Sequence, residues 1–299
     1  MESKNSRRSA LKKMGMGAAS ALALTACGTS KISAEIPATP INPIQLKGKV
    51  KHSVCRWCYG KIPFEEFCER VKEIGIGSIE LTGVDEWPIL QKYGLTCALG
   101  NDWDAGIPDG FNEPENHKRL QGIISKLIDD AADFGLNQIV VFSGNRNGMS
   151  DEAGIENCAV GLDPLLKQAE KRNITLSMEL LNSKVDHKDY QCDNTKWGVD
   201  LAKKIGSPNF KLLYDIYHMQ IMEGDVIRTI REHKDYIGHY HTGGVPGRNE
   251  IDETQELYYP AIIQAIVDTG YTGYVAQEFI PKADDKLASL KKGVVICDV

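Results

Sequence analysis

The feature that most constrains this chain is a series of polar residues at the ends of four strand-like segments in its C-terminal half. Each segment is a short run with β-strand character, and each ends in a carboxylate or an imidazole. The four terminal residues are Glu179, Asp215, His241 and Glu278. A helix-length segment separates each residue from the next, and strands that alternate with helices at this spacing predict a parallel sheet.

Four further β-like segments precede these and complete a barrel. The eight predicted strands are Val50–Val54, Ser78–Leu81, Leu95–Leu99, Gln138–Phe142, Ile174–Glu179, Phe210–Asp215, Ile237–His241 and Tyr274–Glu278. The predicted helices include Pro63–Ile74, His117–Phe134, Asp151–Arg172, Asn194–Ile205, Met219–His233 and Leu257–Thr269. Residues 47–299 have the length of one such barrel, about 250 residues. We therefore predict a single (β/α)8 TIM barrel over this range.

The carboxyl ends of all strands in such a barrel converge on one face, where active sites lie. Glu179, Asp215, His241 and Glu278 would meet there and offer the oxygen and imidazole ligands that divalent cations take in proteins. One such residue at a strand end is commonly a polar rim residue, but four in consecutive units indicate a site. We expect one divalent metal ion, either Mn²⁺, Mg²⁺ or Co²⁺.

The N-terminus has the features of an export signal. Arg7 and Arg8 form a twin arginine, an apolar stretch runs from Met14 to Ala26, and Leu24–Cys27 matches a lipoprotein cleavage box. We predict a twin-arginine lipoprotein signal over residues 1–27, with lipidation at Cys27. Residues 28–46 are rich in Ser, Ala and Pro and predict a tether. The expected location is the periplasm or cell envelope, with the lipid anchor as the sole membrane contact.

Charge and cysteine content exclude several other classes. The net charge of −6 and the scattered basic residues give no footprint for nucleic acid. The chain has eight cysteines, and seven remain when Cys27, the predicted lipidation site, is set aside. Because seven is odd, they cannot all form disulfides within the chain. Cys55 and Cys58 form a C-x-x-C motif after the first strand, where a redox pair could lie. Thiols near the barrel mouth, without a redox role, are the favoured interpretation.

Two motifs carry a resemblance to a known family. The stretches Leu213–Asp225 and His239–Glu250 resemble the hydroxypyruvate isomerase branch of the xylose isomerase-like barrels. The resemblance implies that Glu179, Asp215, His241 and Glu278 bind one divalent metal. The hydroxypyruvate isomerases have Gln where His241 stands and an acidic residue where Gly244 stands, whereas the ketose epimerases have His at the first position. These departures leave the metal site intact and the substrate open.

The chemistry expected of these residues is proton transfer next to a carbonyl. Glu179 and Glu278 can act as acid and base while a metal stabilises the enediolate, with return of the proton to the same carbon (epimerisation) or to its neighbour (isomerisation). His218 and Arg248 are the candidate substrate-binding residues, weighed against a helix cap and a surface salt bridge. The predicted substrate is a sugar or a small hydroxy-keto acid. A homo-oligomer is compatible with this prediction.

Seven other residues are weaker candidates for the site or lie close to it in the sequence pattern. Glu80 could face the pocket or form a rim salt bridge, Trp57 and Trp103 could wall the substrate or simply pack, and Asn182 could touch the pocket or cap a helix. We expect His187 to face solvent, together with Glu223. His239 alternates with His241 along the same strand, so we expect its side chain to point into the opposite layer, away from the metal.

Three alternative functions remain open at this point. A lyase or dehydratase acting on an oxidised sugar would use the same metal and base. A sugar-binding lipoprotein without turnover would need the metal ligands but not the opposed pair Glu179 and Glu278. A metal-dependent endonuclease would need more His ligands and a basic groove, which the sequence does not show.

Overall fold

Seven parallel strands form a single curled sheet in the computed structural model, which describes residues 44–299. The strands are β1 Lys51–Cys55, β2 Ser78–Glu80, β3 Gln138–Val141, β4 Thr175–Glu179, β5 Phe210–Asp215, β6 Ile237–Thr242 and β7 Tyr274–Gln277. Their order is β2-β1-β7-β6-β5-β4-β3, and every pairing is parallel. The export signal, Cys27 and most of the tether lie outside the described residues and stay predictions.

An irregular segment closes the ring between the two edge strands. The amide of Ile79 in β2 donates to the carbonyl of Thr96 at 3.1 Å, and the amide of Val140 in β3 donates to the carbonyl of Gly100 at 3.0 Å. The predicted strand Leu95–Leu99 is therefore wrong as a regular strand, although it occupies the eighth position of the barrel. It makes isolated bridges because it pairs first with β2 and then, at Gly100, with β3.

Helices surround the sheet on its outer face. They are α1 Phe64–Ile74, α2 Trp87–Lys92, α3 His117–Phe134, α4 Asp151–Arg172, α5 Thr195–Ile205, α6 Ile216–Met222, α7 Val226–His233, α8 Tyr259–Asp268 and α9 Lys286–Cys297. The predicted helix Met219–His233 is instead the pair α6 and α7. Gly224 and Asp225 adopt positive φ angles of 67° and 45° between them, a conformation that ends a right-handed helix.

The strands and the inner helix faces form one apolar core. Phe67, Leu127, Leu166 and Ile263 represent four helices that bury their apolar stripe against the sheet. None of the helices between residues 44 and 299 combines the length and the apolar character that crossing a membrane requires. The seven cysteines from Cys55 to Cys297 are free thiols, and the role of the C-x-x-C motif stays a prediction.

Candidate active site

The barrel brings the four predicted metal ligands together at the carboxyl ends of β4 to β7. Glu179 and Asp215 are the last residues of their strands, His241 lies one residue before the end of β6, and Glu278 directly follows β7. Parallel pairing places Asp215 opposite His241 in register. One ligand atom from each of the four side chains lies within 4.8 Å of the others, and all four side chains are buried.

The chemistry of this donor set fits a divalent cation. Nδ1 of His241 lies 2.7 Å from Oε2 of Glu278 and 3.8 Å from Oε1 of Glu179, so this nitrogen points into the cluster. Three buried carboxylates share the space with one guanidinium, that of Arg248. Oxygen and imidazole ligands in this proportion suit Mg²⁺, Mn²⁺ and related ions better than a softer metal.

Glu80 contacts the His241 ring on the nitrogen that faces away from the ligand cluster. Oε1 of Glu80 lies 2.7 Å from Nε2 of His241 and 2.8 Å from Nε2 of His239, and all three side chains are fully buried. Burial alone would raise the pKa of Glu80, but the contacts with His239 and His241 outweigh burial and lower the pKa to about 2. An anionic partner on one ring nitrogen of a histidine orients the other nitrogen toward a metal.

Two expectations about this cluster need correction. Glu80 is neither a pocket residue nor a rim salt bridge, because it lies in the barrel interior beneath His241. The expectation for His239 is also wrong. Residues two apart on a strand share a face, so His239 and His241 both point inward, with their ring centroids 5.2 Å apart.

Arg248 connects the carboxylates to the predicted substrate-binding residue His218. Its Nη2 donates to Oδ2 of Asp215 at 2.8 Å and to Oε2 of Glu278, and its Nη1 lies 2.6 Å from Nε2 of His218. The other ring nitrogen of His218 lies 2.6 Å from the side-chain amide of Asn182. Arg248 therefore does not form a surface salt bridge. Asn182 positions His218, and its Oδ1 also accepts hydrogen bonds from the backbone amides of Val185 and Asp186.

The two glutamates of the cluster have different electrostatic surroundings. Burial and the charge of Glu278 raise the pKa of Glu179. Burial also opposes the charge of Glu278, but Arg248 and His241 outweigh it and hold the pKa of Glu278 well below its usual range. Glu278 has its own set of donors, whereas the carboxylate of Glu179 makes no hydrogen bond within the part of the chain that is described.

A cavity of about 430 Å³ opens above this cluster. The polar residues that line it are Asn101, Glu179, Asp186, His187, His218, Arg248 and Glu278. The indole nitrogen of Trp57 donates to Oε1 of Glu278 at 2.7 Å, so this tryptophan belongs to the site. A wider cleft of about 600 Å³ beside Asp252 and Lys292 contains none of the clustered carboxylates, and size alone does not identify the site.

The remaining sequence candidates divide between the cavity and the surface. Trp103 lines the cavity together with Trp57, which is the position expected of residues that wall a substrate. The expectation for His187 is wrong, since it lines the cavity with its ring centroid 5.4 Å from that of His218. Glu223 is exposed and accepts from the backbone amide of Thr195 at the start of α5. Asn101 and Asp186 also line the cavity and carry no sequence signal that singles them out.

Comparisons with known proteins agree on one family. The model of the xylose isomerase-like TIM barrel family matches residues 68–293. The 2-oxo-tetronate isomerase of Cupriavidus necator is 31% identical over 65% of this chain and 76% of that protein. The hydroxypyruvate isomerase of Escherichia coli strain K12 is 31% identical over 75% of this chain and 90% of that protein. Among solved structures, an AP endonuclease family 2 protein from Brucella melitensis superposes with a TM-score of 0.72 at 24% identity, covering 81% and 96% of the two chains.

Proposed function

The chain belongs to the xylose isomerase-like TIM barrel family, and on that premise we propose that it is a divalent-metal-dependent isomerase or epimerase of a sugar or a small hydroxy-keto acid. Its similarity to the 2-oxo-tetronate and hydroxypyruvate isomerases extends over most of their length and supports the reaction class. The observation that carries the proposal is the position of Glu179 and Glu278. Both carboxylates reach one cavity from non-adjacent strands beside Asp215 and His241.

Glu179, Asp215, His241 and Glu278 would hold the metal ion. When bound, a divalent ion would draw charge from the carbonyl and hydroxyl oxygens of a hydroxy-ketone, which would ease removal of the proton on the hydroxyl-bearing carbon next to the carbonyl. Asp215 also accepts from the backbone amide of His218 at 3.1 Å, so the start of α6 fixes its orientation. His241 is fixed by Glu80 in the same way. Asp215 and His241 are thus each oriented by a hydrogen-bond partner within the chain.

The two glutamates would carry the proton. Glu179 is the freer carboxylate, so it is suited to take the proton from the substrate carbon while the carbon–hydrogen electron pair moves toward the carbonyl. Glu278, whose oxygens accept from Trp57 and Arg248, is fixed on its own side of the cavity. Delivery of a proton to the same carbon from the opposite face inverts that carbon, and delivery to the former carbonyl carbon moves the carbonyl along the chain. Arg248 and His218 are placed to bind substrate oxygens.

Solvent isotope exchange tests this proposal. Metal-loaded protein is incubated in deuterated water with a panel of hydroxy-keto acids and ketoses, and carbon-bound deuterium is measured. The removal of a general base costs about 10²–10⁴ in rate. We therefore expect Glu179→Gln and Glu278→Gln, at saturating metal, to bind substrate and to exchange at least ~10²-fold more slowly than wild type.

A matched control is Glu66→Gln, which changes an exposed glutamate on α1 in the same way and should exchange as wild type does. Wild-type exchange in both cavity variants would mean that neither glutamate is the base. A sugar-binding protein without turnover would bind panel members without any exchange, and a lyase would release a dehydrated or cleaved product.

A further inference from the structure

The cavity has a second wall whose chemistry the proton transfer does not use. Besides the carboxylates, the cavity is lined by apolar residues, of which only Trp57 contacts a carboxylate: Trp57, Leu81, Trp103, Ile107, Phe142, Leu181 and Ile280. A three- or four-carbon keto acid would place its polar atoms against Glu179, Arg248 and Glu278 and would leave most of this wall uncovered. Pockets of roughly 300–1,000 Å³ enclose ligands of drug size, and this cavity of about 430 Å³ is in that range.

Large apolar side chains are exposed on this wall to an unusual degree. Trp57 is 39% exposed, Trp103 57% and Ile280 44%. They are three of the seven large hydrophobic residues that are exposed among residues 44–299, and all three line this one cavity. Exposed apolar side chains that cluster in one place mark a ligand or interaction site, whereas single ones need no explanation. A tryptophan offers an apolar face on which the CH face of a sugar ring can lie.

Asn101 gives the apolar wall one polar point. Its side chain is only 1% exposed and lines the cavity, and neither its amide nitrogen nor its amide oxygen has a hydrogen-bond partner among the described residues. A buried amide without partners is costly. An amide that can donate and accept matches a hydroxyl, which can also do both. The apolar wall therefore contains a position for a ligand hydroxyl.

We propose that the substrate is a hydroxy-ketone of disaccharide size, in which a second sugar ring extends from the reacting sugar and lies against Trp103, with a hydroxyl bonded to Asn101. This inference rests on the proposed isomerase or epimerase function and names its substrate class. The carbonyl remains in the reacting sugar, so the proton transfer by Glu179 and Glu278 is unchanged. The second ring supplies binding energy at a distance from the chemistry.

The test compares specificity constants for solvent deuterium exchange. The probes are hydroxypyruvate, a four-carbon keto acid, free ketohexoses, and disaccharides whose reducing sugar is a ketose. We expect wild type to have its highest kcat/KM with a disaccharide. The ratio of kcat/KM for that disaccharide to kcat/KM for the best short acid should fall about tenfold in Trp103→Ala, since the variant loses apolar area that the second ring covers.

Asn101→Leu is the second variant. It removes the unpartnered amide at similar size, so a merely structural asparagine would show an unchanged or higher melting temperature and an unchanged ratio. We expect the ratio to fall about tenfold, because a substrate hydroxyl would lose its partner. Tyr258→Ala, which truncates an aromatic residue that is 73% exposed and lies outside this cavity, should leave the ratio as in wild type.

The outcomes separate this inference from the proposed function. If short acids exchange fastest and neither variant changes the ratio, the disaccharide inference is wrong while the isomerase proposal stands. If Trp103→Ala changes the sedimentation coefficient instead of the ratio, the apolar wall is covered by a second copy of the chain and the inference is again wrong. Exchange into no probe at all would overturn both proposals.

Discussion

The two walls of the cavity are built by different halves of the barrel and by different kinds of structure. The polar wall comes from the ends of β4 to β7, where Glu179 and Glu278 line the cavity and Asp215 and His241 lie beside them in the same cluster. The apolar wall comes mainly from the connections that follow β1, β2, the bridging segment and β3, and these carry Trp57, Leu81, Trp103 and Phe142. The candidate metal ligands are held by the rigid sheet, and the surfaces proposed to select a substrate are held by loops.

Two contacts join the halves: Trp57 donates to Glu278 beside the cavity, and Glu80 contacts His241 beneath it. Glu80 belongs to β2 in the N-terminal half, yet it contacts His241 of β6 across the barrel interior. The apolar half therefore supports the polar half from below, through a buried carboxylate that does not line the cavity. Variants on each wall should consequently separate metal binding from substrate binding, except at Glu80 and Trp57.

The largest effect is expected from the polar wall. His241→Ala removes a nitrogen ligand, and loss of a ligand should cost more than the roughly 10–100-fold that loss of a ligand's supporting partner costs. We expect metal affinity to fall by more than ~10²-fold and activity to fall with it, with partial rescue by excess Mn²⁺. Metal content and affinity are measured by metal analysis and by competition with a chelator.

The matched variant on the other wall is Ile107→Ala, which should bind metal as tightly as wild type because Ile107 contacts the cavity but belongs to none of the ligand groups. One equivalent of metal bound to His241→Ala at unchanged affinity would show that the ligand assignment is wrong. Weaker metal binding by Ile107→Ala would show that the two walls are not independent.

A smaller effect is expected from Glu80→Gln. The variant keeps the size of the side chain and one acceptor oxygen but removes the negative charge beside Nε2 of His241. Metal affinity should fall by about 10–100-fold. His239→Gln is the control, because it also removes a contact with Oε1 of Glu80 but leaves the bond to His241. Equal losses of affinity in both variants would mean that the buried cluster supports the fold in general and does not orient His241.

The polar wall could be predicted from the sequence because each of its ligands ends a segment with a recognisable strand pattern. The chemistry of Glu179 and Glu278 follows from residue type and topology, and the structure places both in one cavity. Asn101 and Asp186 could not be predicted, since they lie in loops whose path depends on tertiary contacts. The mistaken direction of His239 came from counting two residues along a strand as a change of face.

The helices and strands could be predicted to a similar extent, and the errors in their prediction have related causes. The limits of α3 and α4 follow from their apolar stripes and agree with the structure. The predicted strand Leu95–Leu99 has strand composition, but its partners are two strand edges that the local sequence does not reveal. The sequence pattern also does not predict α9, Lys286–Cys297, whose weak amphipathic pattern becomes interpretable only when Leu290 and Val294 are seen against the barrel.

The smallest effect is expected from the loop of residues 101–116, which carries Trp103 and Ile107 of the apolar wall. This loop is fastened to the connection after β3: the amide of Asn112 donates to the carbonyl of Ser143 at 2.8 Å, and the amide of Asn145 donates to the carbonyl of Pro108 at 2.8 Å. Gly110 lies between these contacts, and a Cβ atom there would collide with the backbone around Ser143. Gly110→Ala must therefore displace the loop and with it the apolar wall.

Overpacking of this kind costs about 1–3 kcal/mol, so the melting temperature of Gly110→Ala should fall by several degrees. KM should rise by less than ~10-fold, because the wall shifts without losing a side chain, and metal affinity should stay at the wild-type value since the loop provides no ligand. Gly122→Ala is the matched control: it lies in α3 with open space around the added methyl group and should gain a little stability. A fall in metal affinity in Gly110→Ala would mean that the apolar loop also sets the geometry of the ligands, and the division of the cavity into two independent walls would have to be given up.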